Sequence, residues 1–317
     1  MQRIFAFIMA MFGACCAQAF PEKPIQIVVP YSAGGIADIM ARRIAEELSA
    51  DLKTPVTVLN KGGANGIVGT QLVTSAKPDG YTILFTPNTP LSINPLLYKA
   101  LPYNPQKDLE ILSLLTESPI VVVARPQLGV RNLKELAALA RTKAGGLNYS
   151  SVSATGVLTL PMRKLENELN FQMTAIPYPG AGQAMNAVLA GDVDVSVNAL
   201  GSALPYIVAG KVVALAVGTD ERIPEAPKVE TIQESVPGFK ASIWYSLSVP
   251  AGLDAQTKAR LLQAFDKLRS STPLRQAFAR DYMTVPAAQT PDQLKTYLAE
   301  DLQRWQKVIQ DNQIKAE

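Results

Sequence analysis

The stretch Ile25-Gln26-Ile27-Val28-Val29-Pro30-Tyr31-Ser32-Ala33-Gly34-Gly35-Ile36-Ala37-Asp38 decides the fold. A short β-branched run ends at Pro30, a loop of small residues follows, and apolar residues then recur at helical spacing. This pattern predicts a strand, a Gly-Gly turn and a helix. A helix that begins after glycines leaves unpaired backbone N–H groups and the positive end of its dipole facing outward, which suits a carboxylate. An ordinary βα turn, common in α/β folds, is the alternative.

The residues before this stretch have the features of a cleaved secretion signal. Arg3 supplies the only charge, an apolar run follows it, and Ala17-Gln18-Ala19 forms an A-x-A cleavage site. The apolar run is too short to span a bilayer as a mature helix. We therefore predict a signal peptide over residues 1–19, cleaved after its last alanine, and a periplasmic mature chain. Lipoprotein processing at Cys15 or Cys16 is the alternative.

The composition argues against several classes of function. The predicted cleavage removes both cysteines, and the chain has no histidine, which excludes a thiol nucleophile, a thiolate metal site and a Ser-His-Asp triad. Without Arg3, 29 basic and 27 acidic residues nearly balance, so neither nucleic acid nor an anionic membrane is an expected partner. We predict no catalytic residue, no metal and no cofactor.

Strand and helix patterns alternate along the chain and predict an α/β fold with mostly parallel sheets. Two matched strand-proline-helix units begin at Ile120 and at Ser246, which indicates two crossovers between two lobes. The predicted first lobe is residues 20–122 plus 246–317, and the second is residues 123–245. The alternative is two ordinary βα units in a single sheet.

Short motifs along the whole mature chain resemble, in order, those of the Bug receptors. These are the periplasmic solute-binding subunits of tripartite tricarboxylate transporters. The matching segments begin with Val29-Pro30-Tyr31-x-x-Gly34-Gly35-x-x-Asp38 and continue with Gly63-Ala64-Asn65-Gly66-Ile67-Val68-Gly69-Thr70, Ala76-Lys77-Pro78-Asp79-Gly80-Tyr81-Thr82, Asn94-Pro95-Leu96-Leu97-Tyr98, Pro177-Tyr178-Pro179-Gly180-Ala181-Gly182, Leu189-Ala190-Gly191-Asp192-Val193-Asp194, Leu204-Pro205-Tyr206-Ile207 and Trp244-Tyr245-Ser246-Leu247.

The resemblance implies a two-lobe periplasmic binding protein of type II, a Venus flytrap with two hinge crossovers. It implies a monomer without catalytic activity that closes on a small carboxylate and delivers it to the membrane components of a tripartite tricarboxylate transporter. Asp38 is expected to be structural, at the start of the first helix. The implied ligand-binding residues are Tyr31, Ser32, Ala33, Gly34, Gly35, Thr86, Pro87, Asn88, Ser151, Ser153, Thr155, Tyr178, Ala181, Gly182 and Asn198.

The second lobe departs from the family pattern. Val152 and Ser153 stand where relatives usually have more glycine, and Thr159 stands near the position of a histidine, which implies a tighter pocket. A Ser/Thr cluster after a strand can instead cap a helix. Asn198 offers an uncharged amide that does not repel an anion. Trp244 and the tyrosine after it are expected to pack beneath the hinge rather than stack on the ligand.

Two other functions compete with the receptor. The same fold could serve a periplasmic sensor that feeds a two-component signalling system. An enzyme is the less favoured alternative, because the chain has no G-x-S-x-G motif in addition to lacking histidine. No cation is among the implied ligand-binding residues, so three charges would be costly to desolvate there. We therefore expect a monocarboxylate, a small dicarboxylate or a zwitterionic amino acid rather than citrate.

Overall fold

The computed structural model describes residues 20–152, 156–178, 180–239 and 241–314. Its strands are β1 Ile25–Val29, β2 Val56–Asn60, β3 Thr82–Pro87, β4 Leu109–Ala124, β5 Asn148–Ser151, β6 Thr174–Pro177, β7 Val195–Ala199, β8 Val213–Val217, β9 Glu230–Thr231 and β10 Ser242–Pro250. Its longer helices are α1 Ile36–Leu52, α2 Ile67–Thr74, α3 Leu133–Thr142, α4 Leu160–Glu168, α5 Ala181–Ala190, α6 Leu200–Val208, α7 Ala255–Ser270, α8 Thr272–Arg280 and α9 Pro291–Asp311. Short helical turns cover Ala64–Gly66, Thr89–Ile93, Asn94–Leu97, Pro105–Asp108, Pro126–Leu128 and Ile232–Ser235.

The strands form one sheet in the order β2-β1-β3-β10-β4-β7-β5-β6, and in addition β8 pairs with β4 and β9 pairs with β8. β1 pairs in parallel with β2 and β3, and β5 pairs in parallel with β6 and β7. β10 runs antiparallel to β3 and β4, and β4 runs antiparallel to β7 and β8. The fold is α/β as predicted, but its sheet is mixed, because the strands that connect the two groups of parallel strands are antiparallel.

One strand, β4, belongs to both parts of this sheet. Up to Pro119 it pairs with β10, and from Ile120 onward it pairs with β7 and β8. We call the strands β1, β2, β3, β10 and β4 up to Pro119 the first half, and the other strands the second half. The sequence pattern had predicted only the part of β4 from Ile120 as a strand. The return strand β10 stays within the first half, where its Ser246 lies opposite Thr86 of β3.

Helices cover both faces of the first half. α1 packs on β1 and β2 and against α7, and it buries Met40, Ile44 and Leu48. α2 and α9 cover the opposite face, where Leu84 and Leu298 belong to a separate apolar cluster. Alternate residues of β1 and β3 enter the two clusters, as the two-residue period of a strand requires. Within the described ranges, no helix is both long enough and apolar enough to cross a membrane.

The C-terminal helix α9 is amphipathic, with buried residues that recur at helical spacing from Leu294 to Ile309. Thr290 and Gln293 form a capping box at its start. Leu294 and Leu298 pack in the first half, and the helix continues until it contacts α4, which follows β5 of the second half. Trp305 is buried in that last part. The helix therefore contacts elements of both halves.

Candidate functional site

The loop between β1 and α1 presents small residues at a helix N-terminus. Ser32, Ala33, Gly34 and Gly35 are exposed, and Tyr31 is partly buried. Gly34 has a φ of +83°, a left-handed conformation that favours glycine. Gly35 is the N-cap of α1, and no side chain caps the helix there. Since the first N–H groups of a helix have no intrahelical partner, this loop can offer backbone donors and the positive end of the helix dipole to an anion.

Asp38 holds this loop in place and uses one of its donors. Its carboxylate is 4% exposed and accepts a 2.8 Å hydrogen bond from the N–H of Gly34. Arg42 pairs with the same carboxylate at 3.0 Å, and the amide of Asn60 donates to the carbonyl of Tyr31 at 3.2 Å. Burial opposes ionisation of Asp38, but the hydrogen bonds from Gly34 and Arg42 outweigh it and lower its pKa. The structural role expected for Asp38 agrees with these contacts.

The hydroxyl of Tyr31 joins the first loop to the segment after β3. It forms a hydrogen bond with Thr89. Gly66 lies beside it with a φ of +84°, and a Cβ atom there would be 3.3 Å from the hydroxyl oxygen and 2.9 Å from Pro90. Burial and the nearby phenol of Tyr245 raise the pKa of Tyr31 well above its ordinary value. Tyr31 is therefore a neutral hydroxyl in a closely packed setting.

The segment Thr86, Pro87 and Asn88, which the family resemblance implies as part of the ligand site, is buried. The reason is that β3 continues through Pro87 and a helical turn, Thr89–Ile93, follows directly. The amide nitrogen of Asn88 donates to the carbonyl of Ser242 at 3.3 Å. Among the described residues, the Thr86 hydroxyl and the Asn88 side-chain oxygen have no hydrogen-bond partner. Buried polar atoms without partners are rare and are suited to holding water or a ligand.

A row of buried polar side chains occupies the corresponding part of the second half. The hydroxyl of Ser150 donates to that of Ser196 at 2.6 Å, and the amide of Asn198 donates to the same oxygen at 2.7 Å. Asn198 is 1% exposed. Ser151 is buried as well, and its hydroxyl has no partner within the described part of the chain. The predicted ligand-binding residues Ser153 and Thr155 lie outside the described residues.

A second helix N-terminus stands beside Ser151. Gly180 is the N-cap of α5 without a side-chain cap, and Ala181 and Gly182 after it are exposed. Tyr178 is partly buried against the apolar cluster of the second half, and its N–H donates to the carbonyl of Ser151 at 2.7 Å. This hydrogen bond joins the end of β5 to the chain that leads into α5.

The strand register brings the two groups of predicted residues toward the same part of the sheet. At the end of β3, Pro87 lies opposite Tyr245 of β10, which lies opposite Thr116 of β4. Asn198 of β7 lies opposite Val121 of β4. Thr116 and Val121 are five residues apart on one strand, a separation of roughly 17 Å at about 3.3 Å per residue. The carboxyl ends of β3 and β7 therefore both point toward the place where β4 changes partners, and open α/β sheets bind ligands at such strand ends.

A cavity of about 1180 Å³ lies elsewhere, between the ends of α3 and α9 and helix α4. Arg141, Arg163 and Asp311 are among its lining residues, and it includes none of the predicted ligand-binding residues. The predicted site is therefore defined by its loops and strand ends and not by this cavity.

Two buried side chains lie near the predicted site: Trp244, whose packing role the sequence analysis expects, and Asp301, whose role it does not. Trp244 is fully buried and packs edge-on against Tyr297, which confirms that it packs rather than faces a ligand. Asp301 is 1% exposed and accepts hydrogen bonds from Ser92 and Trp244, a role that our sequence reading missed. Its only signal in the sequence is a carboxylate at helical spacing among the apolar residues Leu298 and Trp305.

Comparison with known proteins gives consistent results. The chain matches the model of the tripartite tricarboxylate transporter family receptor, TctC, over residues 40–314. It is 30% identical to protein BugT of Bordetella pertussis strain Tohama I over 310 residues, which cover 97% of this chain and 95% of BugT.

Solved structures agree with the sequence matches. The periplasmic binding protein BugD superposes with a TM-score of 0.85 at 29% identity, covering 94% of this chain and all of BugD. MatC from Rhodopseudomonas palustris with bound malate superposes with a TM-score of 0.83 at 30% identity, covering 92% of this chain and all of MatC. These similarities extend over nearly the whole chain. The protein therefore belongs to the receptor family of the tripartite tricarboxylate transporters, the Bug receptors that its sequence motifs resemble.

Proposed function

We propose that this protein is a periplasmic receptor that captures one small carboxylate between the two halves and delivers it to the membrane components of a tripartite tricarboxylate transporter. The observation that carries the proposal is the pair of helix N-termini at Gly35 and Gly180, neither of which has a side-chain cap. Each lies in a loop of small residues at the carboxyl end of a strand. Helix N-termini of this kind favour negatively charged groups.

The site binds its ligand without a formal positive charge in this proposal. The proposed ligand-binding residues are the set that the family resemblance implies, and none of them is Lys, Arg or His. Backbone N–H groups, hydroxyls such as Ser151 and the amide of Asn198 would then solvate the carboxylate. Such donors support one carboxylate well and a second with the help of water, whereas three charges cost more to desolvate. The malate bound to MatC supports a small dicarboxylate as the ligand class.

Binding would act through closure of two lobes and not through chemistry. We propose that the lobes are residues 20–122 plus 246–317 and residues 123–245, as the sequence pattern indicates. The change of partners of β4 at Ile120 and the pairing of Ser242 with Pro119 lie within a few residues of these boundaries and support a crossing on each of the two strands. We also propose that the receptor is a monomer without enzymatic activity, exported by a signal peptide that is cleaved after Ala19.

The proposal is tested by identifying the ligand directly. The protein is purified from the periplasm, and native mass spectrometry then shows its mature mass and any small molecule that remains bound. Isothermal titration with malate, succinate, aspartate and citrate follows on protein stripped of that molecule. We expect stoichiometric binding of a small acid without turnover. Tight binding of citrate with no response to the smaller acids would contradict the ligand class, and turnover would contradict the receptor role.

A further inference from the structure

The carboxylate of Asp301 lies in a buried junction of three elements. It is carried by α9 and is 1% exposed. One of its oxygens accepts a 2.6 Å hydrogen bond from the hydroxyl of Ser92 and a 3.0 Å hydrogen bond from the indole N–H of Trp244. The other oxygen pairs with Arg304 at 3.1 Å. Ser92 and Trp244 are fully buried.

These contacts close a circuit that includes Asn88. The N–H of Ser92 donates to the carbonyl of Asn88 at 2.9 Å, and the amide of Asn88 donates to the carbonyl of Ser242 at 3.3 Å. Ser242 lies two residues before Trp244 on β10, and Trp244 returns the circuit to Asp301. The turn segment (residues 88–93), the return strand β10 and the C-terminal helix are therefore fixed relative to one another by buried hydrogen bonds.

Packing alone does not account for a carboxylate at this position. The other buried residues of this fully described helix are Leu294, Leu298, Trp305, Val308 and Ile309, all apolar. A buried charge is expensive to desolvate, and an apolar side chain of similar volume often gives equal or greater stability. What the carboxylate adds is direction, because its two hydrogen bonds specify where Ser92 and Trp244 must lie.

We propose that Asp301 is a positioning residue for ligand binding, which holds the turn segment, and with it Asn88, against the return strand β10. This inference rests on the proposed function, in which Asn88 and the preceding Thr86 contact the ligand. The C-terminal helix then acts on the binding site although it contributes no residue to it. Because the circuit includes β10, the same contacts fix the turn segment relative to one of the two connections between the halves.

The test compares four variants by hydrogen exchange of the turn segment and by titration with malate. Ser92→Ala removes one hydrogen bond with little change in volume, and Asp301→Leu removes both. Asp301→Asn is the rescue variant, because a single amide oxygen can still accept from both Ser92 and Trp244. Leu298→Ala is the matched control, since it weakens the packing of the same helix face without breaking the circuit.

We expect exchange in the turn segment to become at least tenfold faster in Ser92→Ala and Asp301→Leu, and to return close to the parent rate in Asp301→Asn. Malate affinity should fall about tenfold in the first two variants. Leu298→Ala should lower the melting temperature but leave both the exchange rate of the turn segment and the malate affinity close to those of the parent. Exchange in Ser92→Ala no faster than in the parent, or equal effects of Asp301→Leu and Leu298→Ala at equal melting temperature, would overturn the positioning role. A parent protein that binds none of the acids would instead contradict the proposed function, while the exchange rates would still decide the role of Asp301.

Discussion

The backbone N–H of Gly34 donates a 2.8 Å hydrogen bond to the carboxylate of Asp38, four residues further along the chain. The first loop is therefore held from inside, and Gly34 contributes its left-handed turn rather than its N–H group. The donors left for a ligand are the N–H groups from Gly35 onward, at the start of α1. Replacing Asp38 therefore removes the support of the loop without changing the N–H groups that face the ligand.

Replacing Asp38 with Ala should destabilise the loop and the protein. A hydrogen bond to a charged group contributes about 1.5–3 kcal/mol, and that is the expected loss in the free energy of unfolding measured with urea. Arg42→Gln is the comparison variant, because it keeps the hydrogen bond from Gly34 and removes the ion pair, together with a 3.4 Å hydrogen bond from Arg42 to Asn60. Its loss of stability should be smaller than that of Asp38→Ala, because the hydrogen bond from Gly34 remains. Equal stability of Asp38→Ala and the parent would show that the loop needs no such support.

Replacing Gly35 with Val should weaken ligand binding and leave the fold intact. A Cβ atom at Gly35 would be 3.7 Å from the carbonyl oxygen of Ser32, an ordinary contact, so the backbone is not strained. The larger side chain blocks the approach of a carboxylate to the helix N-terminus. Each lost hydrogen bond to the charged ligand corresponds to about 1.5–3 kcal/mol, or roughly a tenfold to hundredfold loss of malate affinity by titration.

Gly35→Ala is the graded control for this substitution, and it should lose less affinity than Gly35→Val. If a correctly folded Gly35→Val protein bound malate as tightly as the parent, the first loop would not be the part of the site that holds the anion.

Replacing Asn198 with Asp should lower malate affinity in a pH-dependent way. The side chain is 1% exposed, so a carboxylate there is costly to ionise and, when ionised, repels an anionic ligand. We expect at least a tenfold loss at pH 8 and a smaller loss at pH 5, where protonation removes the charge. Ser196→Ala is the matched control, because it removes the 2.7 Å hydrogen bond to Asn198 without adding charge. Its effect should be independent of pH, and an equal pH dependence in both variants would refute the charge argument.

Asp194 should contribute stability that is lost in acid. Burial opposes its ionisation, but hydrogen bonds from Arg125, from the N–H of Asn148 and from Lys143 lower its pKa below the usual value. Its contribution is therefore present above about pH 4, the ordinary aspartate value, and is lost as the pH falls through the lowered pKa. Urea unfolding at pH 7, 5 and 3 should show Asp194→Asn to be less stable than the parent by about 2–3 kcal/mol at pH 7, with a smaller difference at pH 3.

The control for this pH series is Asp292→Asn, because the Asp292 side chain is 96% exposed and forms a long ion pair, at 4.0 Å, with the exposed Lys295. Its stability should follow that of the parent at every pH. A difference between Asp194→Asn and the parent that stays constant from pH 7 to pH 3 would mean that Asp194 does not titrate as its contacts imply.

Ligand binding should make the protein more compact and more resistant to heat. If malate binds the closed state preferentially, a concentration of 100 times Kd adds about 2.7 kcal/mol to the free energy of unfolding. The melting temperature should rise with malate concentration, and small-angle scattering should give a smaller radius of gyration. The Gly35→Val variant at the same malate concentration should show smaller changes, because an affinity tenfold to hundredfold weaker leaves that concentration at only about 1–10 times its Kd. Identical scattering of the parent with and without saturating malate would contradict closure.

Local patterns in the sequence were sufficient to predict the elements on which the site is built. The strand ending at Val29, the glycine turn and the helix after it follow from apolar spacing and turn residues, and the structure has them as β1 and α1. Such elements depend on neighbours a few residues away, which the sequence shows directly.

Features that depend on distant partners were not visible in the sequence. β4 carries polar residues such as Ser113 and Ser118 in its middle, and they are buried because elements distant in the sequence, among them β10, α7 and α9, contact this strand. Likewise, Asn88 has the sequence context of a loop residue, and its burial depends on a hydrogen bond to Ser242, which is 154 residues away. The burial of Asp301 depends in the same way on Ser92, 209 residues away. No local pattern encodes these pairings, because they form only when the whole chain has folded.

The continuity of β4 across Pro119 and Ile120 constrains how the chain length can change there. Beyond this point, Val121 and Val123 enter one apolar cluster, while Val122 and Ala124 enter the other. Inserting a single residue would exchange these two sets and turn every later side chain of the strand to the wrong face. Inserting two residues would keep each side chain on its own face and only shift the pairing with β7 and β8. Insertions and deletions at this position should therefore be tolerated, if at all, in even numbers.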